Sequence, residues 1–378
     1  MRTLTESGKK NLRNYERETL SRFCQEHGYD EDDFAKQAMA VVKRRLDAIV
    51  AGIDFENIPN PLLRQKLEAR IKAMNEATDF QTMKEVDNRG SLENYKEMIT
   101  RHFKHIPIKM DYVAKLSKFL ELNDAQDDVA ATLQLIDSVP LLSSWEMEFN
   151  AFVTGASTFD GLPAIFIYEA LLASCYVFIS LVVPFLFEFA ADGAALADPD
   201  KIEKIANDSD FVEALTNCLA FILCEKPADA ISSASESPGI IAFIIGLLAS
   251  GSMGMVWFHE IGHLVQGHLL EPQSHQIEFD ADSFAFALYA RETILRPNTI
   301  FAFLGALTVI FMLELLDTIH QAKESPSHPL SRTRMIAALK ILSETNDAAL
   351  GTAYAYIRNL AALVSPTLGK KWGVSINY

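Results

Sequence analysis

Two short motifs hold the side chains of this chain best suited to chemistry. Residues 259–263 read His-Glu-Ile-Gly-His, and residues 278–282 read Glu-Phe-Asp-Ala-Asp. Positions i and i+4 are neighbours on one helix face, so His259 and His263 stand one turn apart if this stretch is helical. Two neutral imidazoles at that spacing can bind one Zn²⁺, with Glu260 turned towards the open coordination position as general base. The second motif repeats the one-turn spacing with two carboxylates, Glu278 and Asp282. Like charges at i and i+4 repel on a plain helix. The conflict resolves if Glu278 is the third metal ligand and Asp282 accepts the proton of a ligand imidazole. His275, Asp280 and Asp282 itself are the rivals for the third position.

The surroundings strengthen this reading. HExxH fixes only three positions and recurs by chance. Here, however, it follows Gly239–Phe258, an apolar run without charge. A His-Glu pair at the end of such a run is at least partly buried, and buried charge is costly unless paired or metal-bound. Gly262 sits inside the motif, where a side chain would crowd whatever packs on that face. The expected chemistry is zinc-assisted hydrolysis with a peptide as the leading substrate. Zinc would lower the pKa of a water towards neutrality, and Glu260 would take its proton as it attacks the carbonyl.

Three further segments could serve such a site. Asn150-Ala151-Phe152 reads as the start of a strand, with 150–154 a candidate edge that holds an extended substrate by backbone hydrogen bonds. Residues 162–172 read as a strand running into a helix. After the metal motifs comes Ser327-His328-Pro329-Leu330-Ser331-Arg332-Thr333-Arg334. On residue types alone this is a polar turn before a helix, because Pro breaks what precedes it. A functional reading makes His328 or Arg334 a donor to a developing oxyanion.

In that order, these elements resemble the gluzincin metallopeptidases of the HtpX and CAAX-prenyl-protease type. The short gap from His263 to Glu278, and Gly267-His268 after the motif, also resemble the cytosolic ImmA-like peptidases and Lit-type phage-exclusion peptidases. The resemblance covers roughly residues 148–340. It implies His259, His263 and Glu278 as zinc ligands, Glu260 as general base and Asp282 behind a ligand. It implies His328 and Arg334 near the substrate carbonyl, with Arg332 a competitor for the latter role. The stretch from about 173 to 238 is longer than the usual link between the preceding helix and HExxH.

The elements that must position these groups follow from pattern and composition. The expected fold is α+β and mostly helical: a zincin-like core with a small sheet, over residues 106–378, and a helical N-terminal region over residues 1–105. In that region Phe34, Ala38, Val41, Val42, Leu46 and Ile49 recur at helical spacing. Residues 106–113 read as a strand. His268 lies five positions beyond His263, off the ligand face, and reads as structural or exposed.

The chain has 378 residues and a net charge of −16, which argues against nucleic acid and anionic head groups as partners. Cys24, Cys175, Cys218 and Cys224 have no metal or redox spacing. With a charged N-terminus and no secretion signal, a reduced cytoplasmic setting is expected. Three apolar runs, 164–190, 239–258 and 301–313, raise an integral-membrane alternative. The first contains Glu169, Pro184 and Glu188 and the third is short. The second is long enough to span but has no flanking Lys or Arg to orient it. Burial within protein is therefore preferred. Besides a protein-cleaving enzyme, the remaining alternative is a decayed zincin used for partner binding, against which an intact Glu260 argues.

Overall fold

The computed structural model describes residues 6–51, 61–78, 80–122, 127–145, 151–159, 162–190, 193–223, 240–270, 274–296, 299–323 and 329–378. The described chain is mostly helical with two small sheets. In order it runs α1 (Glu6–His27), α2 (Glu31–Ala51), α3 (Pro61–Glu76), α4 (Phe80–His102), α5 (Met110–Phe119) and α6 (Asp128–Ser138). Strands β1 (Leu141–Ser144), β2 (Ala151–Phe159) and β3 (Leu162–Tyr168) lead into α7 (Glu169–Leu186). A hairpin of β4 (Phe187–Ala190) and β5 (Gly193–Leu196), then α8 (Pro199–Ala206) and α9 (Ser209–Ile222), make up the described part of the long stretch before the HExxH helix. The rest is α10 (Ile240–Gln266), α11 (His275–Leu295), α12 (Ile300–Ile319), α13 (Ser331–Thr345) and α14 (Asp347–Trp372).

Helix α10 is apolar around most of its circumference, which is the pattern of a helix buried on all sides. It packs on α7, α11 and α12. Its crossing with α12 is close enough for Ser252 Oγ to donate to the Gly305 carbonyl at 2.7 Å. At the other end of α10, the approach of α11 depends on Gly262. A Cβ there would stand 2.9 Å from Cα of Ala281 and 3.0 Å from its carbonyl oxygen. Only a residue without a side chain lets the two backbones come this near, and this contact brings the HExxH face against Glu278 and Asp282.

Helices α7, α10 and α12 are each long and apolar enough to cross a membrane by length and composition. In the folded chain 61%, 56% and 67% of their most apolar windows are buried inside the protein. All three contribute to one large core with residues of α4, α5, α9, α11, α13 and α14.

The main sheet has the order β1-β3-β2. Strand β1 runs parallel to β3, with Leu141 opposite Ile165, and β2 runs antiparallel to it, with Ala151 opposite Ile167 and Phe152 opposite Phe166. Strand β2 is thus an edge strand, and it lies against α10.

Helix α4 is tied to the site-bearing half of the chain. Glu292 of α11, 2% exposed, accepts from Arg101 and from His102 Nε2, the latter at 2.9 Å. Burial outweighs Glu292 and pushes His102 below the usual imidazole value, so the pair to Arg101 carries the compensating charge.

The strand expected over 106–113 does not form. After a 3-10 turn at Phe103–His105, the chain runs extended to Lys109 and then enters α5. Val113, Leu116 and Leu120 are buried at a helical spacing that outweighs the local β preference. The extended part has its own work at the end of α10: Lys109 N–H donates to the Val265 carbonyl at 3.3 Å, and Gln266 Nε2 donates to the Pro107 carbonyl at 2.6 Å. These bonds partner groups in the last turn of α10, where intrahelical partners run out.

Candidate metal centre

The last two turns of α10 place His259 and His263 with their rings perpendicular and their centroids 4.6 Å apart. Their Nε2 atoms face each other at 3.1 Å. Across from them, α11 presents Glu278, with Oε2 3.4 Å from Nε2 of His259 and Oε1 3.7 Å from Nε2 of His263. Zinc held tetrahedrally by nitrogen and carboxylate oxygen at about 2.0–2.2 Å needs ligand atoms about 3.3–3.5 Å apart. The nitrogen–nitrogen distance and the two nitrogen–oxygen distances, one to each Glu278 oxygen, fall around that spacing, so this donor set suits a zinc ion with a further position left open. Side-chain exposures of 13%, 12% and 13% for His259, His263 and Glu278 allow access from solvent.

The electrostatics favour positive charge at this point. Burial works against protonating His259, but Asp282 and Glu278 carry its pKa up to about 10. Burial, with the charge of His259 beside it, pushes His263 down to about 3 and keeps it neutral. Burial would raise Glu278, yet His259, His263 and Arg334 hold it near about 2, so it is ionised. The pocket thus offers a neutral imidazole and a carboxylate around a spot where cationic charge is stabilised.

Asp282 stands behind His259. It is 1% exposed, and its Oδ1 lies 2.9 Å from Nδ1 of His259. Arg334, in the first turn of α13, donates to both of its oxygens, from Nε and from Nη2, at 2.7 Å each. Burial alone would raise the Asp282 carboxyl, but Arg334 and His259 hold it well below the usual range. A fixed carboxylate at Nδ1 leaves Nε2 as the metal-facing atom. The start of α13 is itself fastened, because Asp317 Oδ2 accepts from Ser331 N–H at 2.9 Å.

Glu260 is 3% exposed, and burial pushes its pKa up to about 7. The backbone N–H of Val153 in β2 donates to its carboxylate. Its Oε2 is buried without a hydrogen-bond partner among the described residues. A buried carboxylate with one unpartnered oxygen beside this cluster is chemically able to take up a proton.

Of the residues singled out in the sequence, His259, His263 and Glu278 share the cluster, with Glu260 and Asp282 beside it. Asp280 points elsewhere and accepts from Gln276 Nε2 at 2.7 Å. His275 opens α11 and lies outside the cluster. Ala151 and Phe152 form the first part of β2, and Phe152 is exposed, stacked on Phe166 with centroids 4.9 Å apart. Arg334, expected near the substrate carbonyl, has two nitrogens on Asp282 instead. Arg332 is bound to the Asn377 carbonyl at 2.6 Å, with Tyr378 beneath it. Asn150 and His328 lie outside the described residues.

Two contributors escaped the sequence reading. The Val153 N–H has no side-chain signature at all. His268, read as off the ligand face, is buried and brings its Nδ1 to 2.9 Å from Nδ1 of His263. The Gly267-His268 pair carried the signal: Gly267 takes φ +77° and turns the chain back as α10 ends.

A protein-family model described as Peptidase U49 matches residues 225–355. No curated protein and no solved structure matches the chain. The matched stretch contains His259, Glu260, His263, Glu278, Asp282 and Arg334, so the region that builds the site is the region similar to a peptidase family, and proteolysis is the activity this similarity supports.

Proposed function

We propose that this chain is a zinc-dependent endopeptidase acting on a protein substrate, with His259, His263 and Glu278 holding the metal. The observation that carries the reading is the convergence of two imidazole Nε2 atoms and one carboxylate at zinc-ligand spacing beside the buried Glu260. Bound zinc supplies Lewis acidity and a water activated near neutral pH. Glu260 takes the proton of the attacking water through its free Oε2, then returns it to the leaving amine. Asp282 fixes the tautomer of His259, and Arg334 fixes Asp282. The edge of β2 aligns an extended peptide by backbone hydrogen bonds, beside the same strand whose Val153 N–H steadies Glu260. His328, by its residue type alone, is the proposed donor to the oxyanion.

A cytoplasmic, membrane-independent enzyme is the preferred setting. The mutual packing of α7, α10 and α12 supports it, since each has over half of its most apolar window buried within the protein. The net charge of −16 gives no attraction to anionic lipid or nucleic acid.

The test is direct. Purified protein should contain one zinc per chain and cleave casein or a mixed peptide pool, lose cleavage on chelation, and regain it with zinc. A chain that binds no zinc, or that cleaves equally well after complete metal removal, contradicts the proposal.

A further inference from the structure

The two ligand imidazoles are backed in different ways. His259 leans on Asp282, a carboxylate fastened by Arg334. His263 leans on another imidazole. Gly267 reverses the chain at the end of α10, and the ring of His268 comes to rest 5.1 Å from that of His263, inclined at 72°. Nδ1 of His268 is 2.9 Å from Nδ1 of His263. Nε2 of His268 points towards α11, 3.8 Å from Oδ2 of Asp280. His268 is 6% exposed, so this arrangement is held by the fold and is not a surface coincidence.

Two ring nitrogens at 2.9 Å form a hydrogen bond only if one of them carries the proton. With Nε2 of His263 given to the metal, its Nδ1 must carry the proton and donate. Nδ1 of His268 is then the acceptor, and the proton of His268 sits on Nε2, on the side of Asp280. We propose that His268 is the positioning residue for the second zinc ligand: through its Nδ1 it fixes the tautomer and ring orientation of His263. The proposal rests on the zinc reading of the site. A neutral acceptor suits this position. Glu260, Glu278 and Asp282 already surround the metal side, and another carboxylate against His263 would add like charge to a buried cluster.

The experiment compares three variants in zinc competition against a chromophoric chelator, with melting of the metal-free proteins as control. Asn can place an amide atom where Nδ1 of His lies, whereas Gln reaches the Nε2 position instead. His268→Asn should therefore bind zinc within a few-fold of wild type. His268→Gln and His268→Ala should bind about 10–100-fold more weakly. The visible spectrum of the cobalt-substituted protein should change in the Gln and Ala variants and not in the Asn variant. If His268→Ala does not fold, the Asn and Gln pair decides. Equal zinc affinity for the Asn and Gln variants, whether tight or weak, overturns the assignment of Nδ1. Wild-type protein that takes up no zinc would instead overturn the reading of the site itself.

Discussion

Arg334 and Asp282 form a two-pronged ion pair, 2.7 Å at each contact, with Asp282 almost completely buried. Asp282 in turn reaches Nδ1 of His259, so the first turn of α13 is mechanically linked to an imidazole of the candidate metal cluster on α10. Arg334, expected near a substrate carbonyl, has two of its nitrogens engaged on Asp282.

Removing that guanidinium leaves a buried carboxylate without its cation. Arg334→Ala should cost about 3–5 kcal/mol of folding stability, the usual penalty for breaking a buried pair on one side. Arg334→Lys keeps the charge and loses the fork, so it should fall between wild type and Ala. Urea unfolding measures both. Zinc affinity should fall in the same order, and an Arg334→Ala protein as stable and as zinc-avid as wild type would remove Arg334 from the site.

Gly262 sets the distance between the two motif helices. Gly262→Ala puts a methyl group 2.9 Å from Cα of Ala281. Overpacking of this kind costs about 1–3 kcal/mol. Because the strained contact lies between the turns that carry the proposed ligands, zinc affinity should drop while far-ultraviolet circular dichroism stays helical. An unchanged zinc affinity would mean that α11 can shift without moving Glu278.

How much of this was legible beforehand depended on the kind of signal. His259, Glu260, His263, Glu278 and Asp282 could be read because helical periodicity places i and i+4 together whatever the tertiary fold. The turn from β3 into α7 was legible for the same local reason. Residues 106–113 have a strand-like composition, which is a local signal, whereas the pull of the α10 end on Pro107 and Lys109 is not local. Arg334 carries five donors that suit a substrate or a carboxylate equally well. Only the docking of α13 on α11 decides that Asp282 receives it. His268 needed the left-handed turn at Gly267 to swing it back, and no periodicity encodes that.

Glu314 gives a pH signature away from the site. Its side chain is 5% exposed, beside Arg332 and bonded to the Tyr378 hydroxyl. Burial, against the pull of Arg332, pushes its pKa from 4.5 up to about 7. A raised carboxyl contributes stability that is fully present below 4.5 and is lost as pH rises through about 7, because the folded state then holds an unfavoured charge. Glu314→Gln should remove this dependence. Relative to wild type, the variant should therefore gain stability between pH 5 and pH 8 in urea unfolding. A difference that stays flat over that range would place the charge of Glu314 in a solvated setting.

The apolar helices give a prediction about handling. If α7, α10 and α12 bury their apolar faces within the protein, the purified chain should be monodisperse without detergent. Extraction that succeeds only with detergent would favour the integral-membrane alternative.

Glu260→Gln tests the central claim most directly, since the amide keeps the size of the side chain and cannot take a proton. Zinc content and peptide cleavage should be measured on the same preparation. The expected result is one zinc per chain, as in wild type, with cleavage reduced at least ~10²–10⁴-fold. Near-normal cleavage by a zinc-loaded Glu260→Gln protein would contradict the assignment of Glu260 as the base and, with it, the proposed chemistry.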